Sequence, residues 1–273
     1  DVLADNFGLT EADTDVRALY LQDQWRGEQL DILVAARSTD HERFGQQLSW
    51  NVDAGWQLAD AWSLRGNVGR AFRAPNATFL YGPFGANPDL EPEVSLNREI
   101  GLTWRASENH RFTLAGFHND IDDMIDFDLA TFTYLNIAQV TIRGIEIGHE
   151  WSAGEWRGNT SLTVQEPENG LTGEPLLRRA EEVLTIGVQR RLGAVDLGTD
   201  LLASGDRADI DSVTFLTITE PGYALLNLTA NWWVTPAWSL SARLENVLDA
   251  DYQTASGYNT ADRSGFVTLR YTH

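Results

Sequence analysis

The chain has 273 residues, 40 Asp and Glu against 20 basic residues, and a formal net charge of −20. Every basic residue is arginine, and nothing in the balance offers the clustered positive charge that phosphate neutralisation needs, so a nucleic-acid partner is excluded. Cysteine is absent, which removes a disulfide framework, Cys-ligated zinc and thiol catalysis. No stretch approaches the ~18 apolar residues of a spanning helix. The opening residues from Asp1 to Thr10 lack the positive and apolar regions of a signal peptide, and the chain is expected to be a fragment.

Taken in order, the predicted elements are all strands. The first covers about Val16–Trp25. From Gln47 to Trp56, apolar Leu48, Trp50, Val52, Ala54 and Trp56 alternate with Gln47, Ser49, Asn51, Asp53 and Gly55. Side chains of period two put one set on each face of a strand. The pattern returns at Leu96–Trp104, Ile145–Trp151, Trp156–Val164, Leu184–Val188, Leu226–Trp232 and Trp238–Leu244, and the last strand is Gly265–His273. About thirteen such segments occur, most near the ~10 residues of a tilted membrane strand, and helical periodicity is weak throughout.

The connections alternate in length. Short links fall near Arg26–Gly27, Leu58–Asp60, Ala106–Asn109, Ser152–Glu155, Arg191–Gly193 and Val234–Ala237. Long ones fall near Ser38–Gly45, Arg73–Glu93, Asp120–Gln139, Glu166–Arg178, Ser204–Pro221 and Asp249–Ser264. Short periplasmic turns and long extracellular loops are the habit of outer-membrane barrels. Of the ten Trp, all but Trp50 sit within a few residues of a short link, as an interfacial aromatic girdle requires. The expected fold is therefore all-β: an antiparallel transmembrane β-barrel, here a partial barrel of about 13 strands forming one incomplete domain over 1–273. An odd strand count forbids regular antiparallel closure, so an open sheet or a parallel closing pair is expected. On this reading Leu48, Val52, Ala54, Leu226, Leu228, Leu240 and Leu244 face lipid, while Asn51, Asp53, Arg65, Asn67, Asn227 and Arg243 face the lumen.

Three runs carry a resemblance. They are Arg70-Ala71-Phe72-Arg73-Ala74-Pro75-Asn76 with the following Leu80-Tyr81-Gly82 and Asn87-Pro88-Asp89-Leu90-Glu91-Pro92-Glu93; Asn136 to Glu146; and Leu244 to Tyr252. With the ending Gly257 to Tyr271, they resemble TonB-dependent receptors over nearly the whole chain, in order. Within that superfamily the chain is most similar to cobalamin receptors, through Pro175-Leu176-Leu177-Arg178-Arg179-Ala180, the loop around Tyr81–Glu93, and Tyr252 to Arg263. Ferric-siderophore receptors share most of the rest.

The resemblance implies a bacterial outer-membrane importer of cobalamin or an iron chelate, embedded in lipid and lipopolysaccharide, with TonB engaged through a missing N-terminal part. It implies no enzyme activity. A passive porin-type barrel, or a soluble carbohydrate-binding β protein, are the other readings. The implied ligand-binding residues are Arg178, Arg179, Tyr81, Phe84, Asn87 and Tyr258. Arg178 either contacts ligand or pairs with a lumen carboxylate, and the prolines near Tyr81 also serve simply to stiffen the loop. The acidic run Asp120, Asp122, Asp123, Asp126 and Asp128 reads as a solvated loop, since Ile125 stands where a Ca²⁺-loop glycine would be. The five His are scattered without metal-ligand spacing, and neither a cofactor nor a metal is expected.

Overall fold

The structure, a computed structural model, describes residues 2–5, 8–11, 13–128 and 131–272. Strands β1 (Val2–Asp5) and β2 (Gly8–Glu11) pair as a separate hairpin. Then follow β3 (Val16–Arg26), β4 (Leu30–His41), β5 (Gly45–Ala59), β6 (Trp62–Arg73), a short helix α1 (Ala77–Tyr81), β7 (Glu93–Ser107), β8 (His110–Asp128), β9 (Thr133–Ala153) and β10 (Trp156–Asn169). The remainder comprises β11 (Glu182–Leu192), β12 (Val195–Ser204), β13 (Arg207–Ile210), β14 (Thr217–Glu220), β15 (Tyr223–Trp233), β16 (Trp238–Glu245) and β17 (Ser264–Tyr271).

Thirteen of these strands form one antiparallel sheet, ordered from β17 through β16, β15 and β12 and then in sequence down to β3. Its order is open: β3 and β17 are its two edges, and no pairing joins them among the described residues. This agrees with the strand count read from the sequence. By packing, the chain divides into two compact units: 1–101 with 116–143 and 166–175, and 102–115 with 144–165 and 176–273.

The two faces of the sheet differ as the alternation requires. In the first unit Val34, Val52 and Val68 lie side by side on β4, β5 and β6, as do Ile32 and Ala54. On the opposite face, Asn67 donates to Asn51 at 2.8 Å and Arg65 pairs with Asp53 at 2.6 Å. In the second unit Leu197, Ala230, Ala242 and Val267 form one lateral row, with Trp232, Leu240 and Leu269 in another. Between them, on the other face, run Asn231, Ser241 and Thr268.

A soluble sandwich would bury the apolar face. Instead, Leu19, Ile100, Val267 and Leu269 are 77, 60, 75 and 63 % exposed, while buried Leu80, Leu90, Met124, Val140, Leu176 and Ala180 lie in or beside the long connections. A continuous exposed apolar face is what lipid covers. The soluble β reading is thereby overturned.

The long connections hold more structure than their sequences suggest. The acidic run Asp120–Asp128 belongs to strand β8 rather than to a loop, because β8 and β9 continue as a hairpin with a connection of only 129–132. The stretch from Ser204 to Pro221 contains the separate hairpin of β13 and β14. Arg178 and Arg179 lie in the connection before β11, which starts at Glu182. The helix α1 interrupts the stretch from Arg73 to Glu93, with the Asn76 side chain accepting the Phe79 N–H as an N-cap at 2.9 Å.

Candidate functional site

In the first unit, the connection after β6 is pinned by two asparagines. Asn87 donates its backbone N–H to the Phe79 carbonyl at 2.8 Å and its side-chain amide to the Tyr134 carbonyl at 2.9 Å, and its Oδ1 accepts the Asp89 N–H at 2.9 Å. Asn136 answers from β9: it accepts the Glu91 N–H at 2.9 Å and donates to the carbonyls of Glu91 and Asp123 at 3.0 and 2.6 Å. Leu90 is sealed between them, 2 % exposed. The amide of Asn87 is therefore spent on holding the loop.

Gly85 makes the tight place in this loop. Its φ is +60°, and a Cβ there would stand 2.5 Å from the Phe127 ring and 2.9 Å from the Phe132 carbonyl oxygen. Phe127 cannot yield easily, since it packs edge-on against Phe132 and Tyr134 at 5.2 and 5.1 Å. Gly85→Ala should cost the left-handed penalty of about 1–2 kcal/mol plus the clash, and expose the loop to limited proteolysis. Unchanged cleavage between 74 and 92 would contradict this account.

What this loop leaves outside is aromatic and cationic. Tyr81 and Phe84 are each about half exposed. The Arg43 guanidinium, from the turn between β4 and β5, lies over the rings of Phe44 and Tyr81 at 5.5 and 5.6 Å. It donates to the Tyr81 hydroxyl and the Pro88 carbonyl. Arg43 and Tyr81 line a cleft of about 790 Å³ together with His41, Glu42, Asp13 and Asn76. Arg43 was invisible as a site residue in sequence: the run His41-Glu42-Arg43-Phe44 reads as a plain charged turn.

In the second unit the organising residue is Asp209, on β13 and fully buried. It accepts the Arg178 Nε–H at 2.9 Å, the Ser256 backbone N–H at 2.7 Å and the Ile210 N–H at 2.8 Å. Burial by itself pushes its carboxyl up, but the N–H groups of Ser256 and Ile210 and the Arg178 guanidinium outweigh it and hold the group below its ordinary value. Arg178 itself has φ +61° and also donates its backbone N–H to the Ala208 carbonyl at 2.7 Å. Its segment is anchored by buried Leu176 and Ala180.

Arg207, also buried, lies 5.6 Å over the Tyr223 ring and donates to the Gln253 carbonyl; Tyr223 in turn packs on Tyr252 at 4.5 Å. Three segments are thus tied together: 176–180, the β13–β14 hairpin, and the connection 246–263. Arg178 and Ser256 meet on Asp209, whereas Tyr258, two residues further on, donates its backbone N–H to the Ala255 carbonyl at 3.1 Å. Arg179 donates to the nearby Leu177 carbonyl at 3.4 Å and is exposed, and Tyr258 is 70 % exposed. Asp209 carries no signal that separates it from Asp206 or Asp211 in sequence.

Among the described residues no group of three or more His, Asp or Glu is placed to hold a metal ion.

Residues 3–247 match the family described as "TonB dependent receptor-like, beta-barrel". Among solved structures, the chain is similar to the siderophore receptor PirA from Acinetobacter baumannii, with a TM-score of 0.81 and 18 % identity over 98 % of this chain and 47 % of that one. It is also similar to a mutant of the ferric enterobactin receptor PfeA from Pseudomonas aeruginosa, in complex with enterobactin (0.80, 17 %, 94 % and 45 %). A third is the ferric-catecholate import receptor Fiu from E. coli K12 (0.75, 18 %, 94 % and 44 %). The chain spans less than half the length of each, and at these identities the likeness is one of fold. With a family match across most of its length and a sheet whose apolar face is exposed, the chain belongs to the TonB-dependent receptor-like β-barrel family, whose members are transporters of the bacterial outer membrane.

Proposed function

We propose that the chain supplies wall strands and ligand-recognising loops to an energy-coupled importer, with TonB engaged by segments outside these 273 residues, and that the imported ligand is a ferric siderophore. The observation that carries this is the Arg43 guanidinium held over Tyr81 and Phe44 beside an open cleft. An iron chelate with anionic, planar donor groups suits a cation presented on aromatic rings, through charge-assisted hydrogen bonds and stacking. The similar solved structures are those of a siderophore receptor, a ferric enterobactin receptor and a ferric-catecholate import receptor, which agrees with this reading.

Cobalamin is the second reading, favoured by the run Pro175–Ala180 and the connection from Tyr252. The pairing of Arg178 with Asp209 supports a holding role for that arginine, which leaves Arg179 and Tyr258 as the more exposed candidates in the second unit, and Tyr81 and Phe84 in the first. Asn87 is assigned to positioning the loop.

Titrating the full-length receptor in detergent with ferric catecholate, ferric hydroxamate and cobalamin decides between the readings. Saturable binding of a ferric chelate with none of cobalamin is expected. Arg43→Ala should weaken that binding about tenfold or more, the loss of a charge-assisted contact worth roughly 1.5–3 kcal/mol. Tight cobalamin binding would reverse the order of the two readings, and uptake that persists without TonB would favour a passive pore.

A further inference from the structure

The apolar face of the second unit is interrupted at one point by a charge. On β11, Leu184, Ile186, Val188, Arg190 and Leu192 share a face by alternation, and the register sets Arg190 between Trp156 on β10 and Leu197 on β12. The same lateral row continues through Ala230, Ala242 and Val267. Among the described residues, the register places no carboxylate beside Arg190 on this face: its neighbours there are Trp156, Val188, Leu192 and Leu197, and Glu182 lies at the far end of β11. The nearby Asp196 lies across the sheet and is held by both Nε and Nη2 of Arg191, at 2.7 and 2.8 Å. Glu155 sits in the turn ahead of Trp156.

Two further observations concern the guanidinium itself. Its carbon lies 4.8 Å from the centre of the Trp156 ring. Its Nε is buried with no hydrogen-bond partner among the described residues. Trp156 is the first residue of its strand, and Arg190 stands close to the short turn between β11 and β12. Both therefore lie at the level of an interfacial aromatic belt, to which Trp232 and Trp238 also belong. Here an arginine on the lipid side is tolerated, and here lipid phosphates begin.

We propose that Arg190 and Trp156 form a binding site for the phosphate of an anionic phospholipid in the periplasmic leaflet of the outer membrane. The indole covers one side of the guanidinium and fixes its depth. The Nη groups then offer the paired donors that a phosphate accepts bidentately, while Leu197, Val188 and Leu192 lie along the acyl chains. This assignment rests on placing the short turns on the periplasmic side of the membrane.

The test uses the full-length receptor in nanodiscs of mixed phosphatidylglycerol and phosphatidylcholine, with retained lipid counted by native mass spectrometry. The parent protein should keep phosphatidylglycerol in preference. Arg190→Gln should lower that retention at least about fivefold, Arg190→Lys should lower it less, and Trp156→Leu should also lower it. Arg157→Gln, which removes the same charge one residue along β10 from the opposite face, should change nothing. Heat-modifiable migration checks that each variant is assembled; if Arg190→Gln fails there, Trp156→Leu decides. Equal retention by the variants would overturn the proposal, and so would an equal loss in Arg157→Gln. Inorganic phosphate protecting the detergent-solubilised protein as well as the lipid does would also overturn it, by assigning the site to free phosphate.

Discussion

Leu228→Arg is expected to cost the barrel about 2–4 kcal/mol, whereas Thr229→Arg and Asn231→Arg on the same strand cost little. Leu228 stands at the middle of β15, opposite Thr199 on one side and Leu244 on the other. Its face carries Leu226 against Leu201 and Ala230 against Leu197 and Ala242, so an arginine there must enter hydrocarbon near the bilayer midplane. Thr229 and Asn231 face the other way, opposite Gly198 and Arg243 and opposite Asp196 and Ser241 respectively. Arg243 adds modest like-charge repulsion at 229, and Asp196 adds a little attraction at 231, so the two substitutions bracket the lumen response. Asn227 is a poorer control despite sharing that face. Its Oδ1 accepts the Asn246 N–H at 2.9 Å, and Asn246 is itself buried at φ +48° with its side chain tied to Ala250. Urea unfolding of the full-length receptor in liposomes measures the contrast. If the arginines at 229 and 231 prove as harmful as that at 228, the assignment of the faces is wrong, and with it the membrane reading of the pattern.

The strands were legible because lipid on one side and water on the other impose a period of two, and Leu48 to Trp56 or Leu226 to Trp232 can hardly be read otherwise. The turns were legible because they are short and bracketed by Trp56 and Trp62, or by Trp151 and Trp156. Beyond the membrane that constraint lapses. β8 continues through Asp120, Asp122, Asp123 and Asp126 beside β9, and both are tied to the connection after β6 through Asn87 and Asn136, so an acidic stretch that reads as a loop is a strand. The hairpin of β13 and β14 has four residues on each side, too few for alternation to register. The candidate site was legible in part. Tyr81, Phe84 and Arg178 came from a resemblance of motifs, but Asp209 is 31 residues from Arg178 and 47 from Ser256, and no local pattern announces such partners. Its importance lies in burial, which only the fold creates.

Asp209→Ala should release three segments at once. The substitution leaves the Ser256 and Ile210 N–H groups without their acceptor, and at the buried Ser256 each such loss costs about 1–3 kcal/mol. Arg178, half exposed, can turn to water, so its share is the smaller one. Arg178→Ala should therefore loosen the same segments less than Asp209→Ala does, since the carboxylate keeps both backbone donors. The sheet should be untouched, because among the described residues β13 and β14 pair only with each other. Hydrogen exchange would register the change as faster exchange over 207–220, 176–180 and 249–263, with β11, β12 and β15 unaltered. Acid offers an independent check. A carboxyl held below its ordinary 3.8 in the folded state contributes stability that is complete above that pH and is lost as pH falls through the lower folded value. The three segments should accordingly stay closed at pH 5 and begin to open together only below about pH 4, while in Asp209→Ala their exchange, corrected for its intrinsic pH dependence, should show no such acid step. Opening of one segment without the other two would mean that Asp209 does not join them.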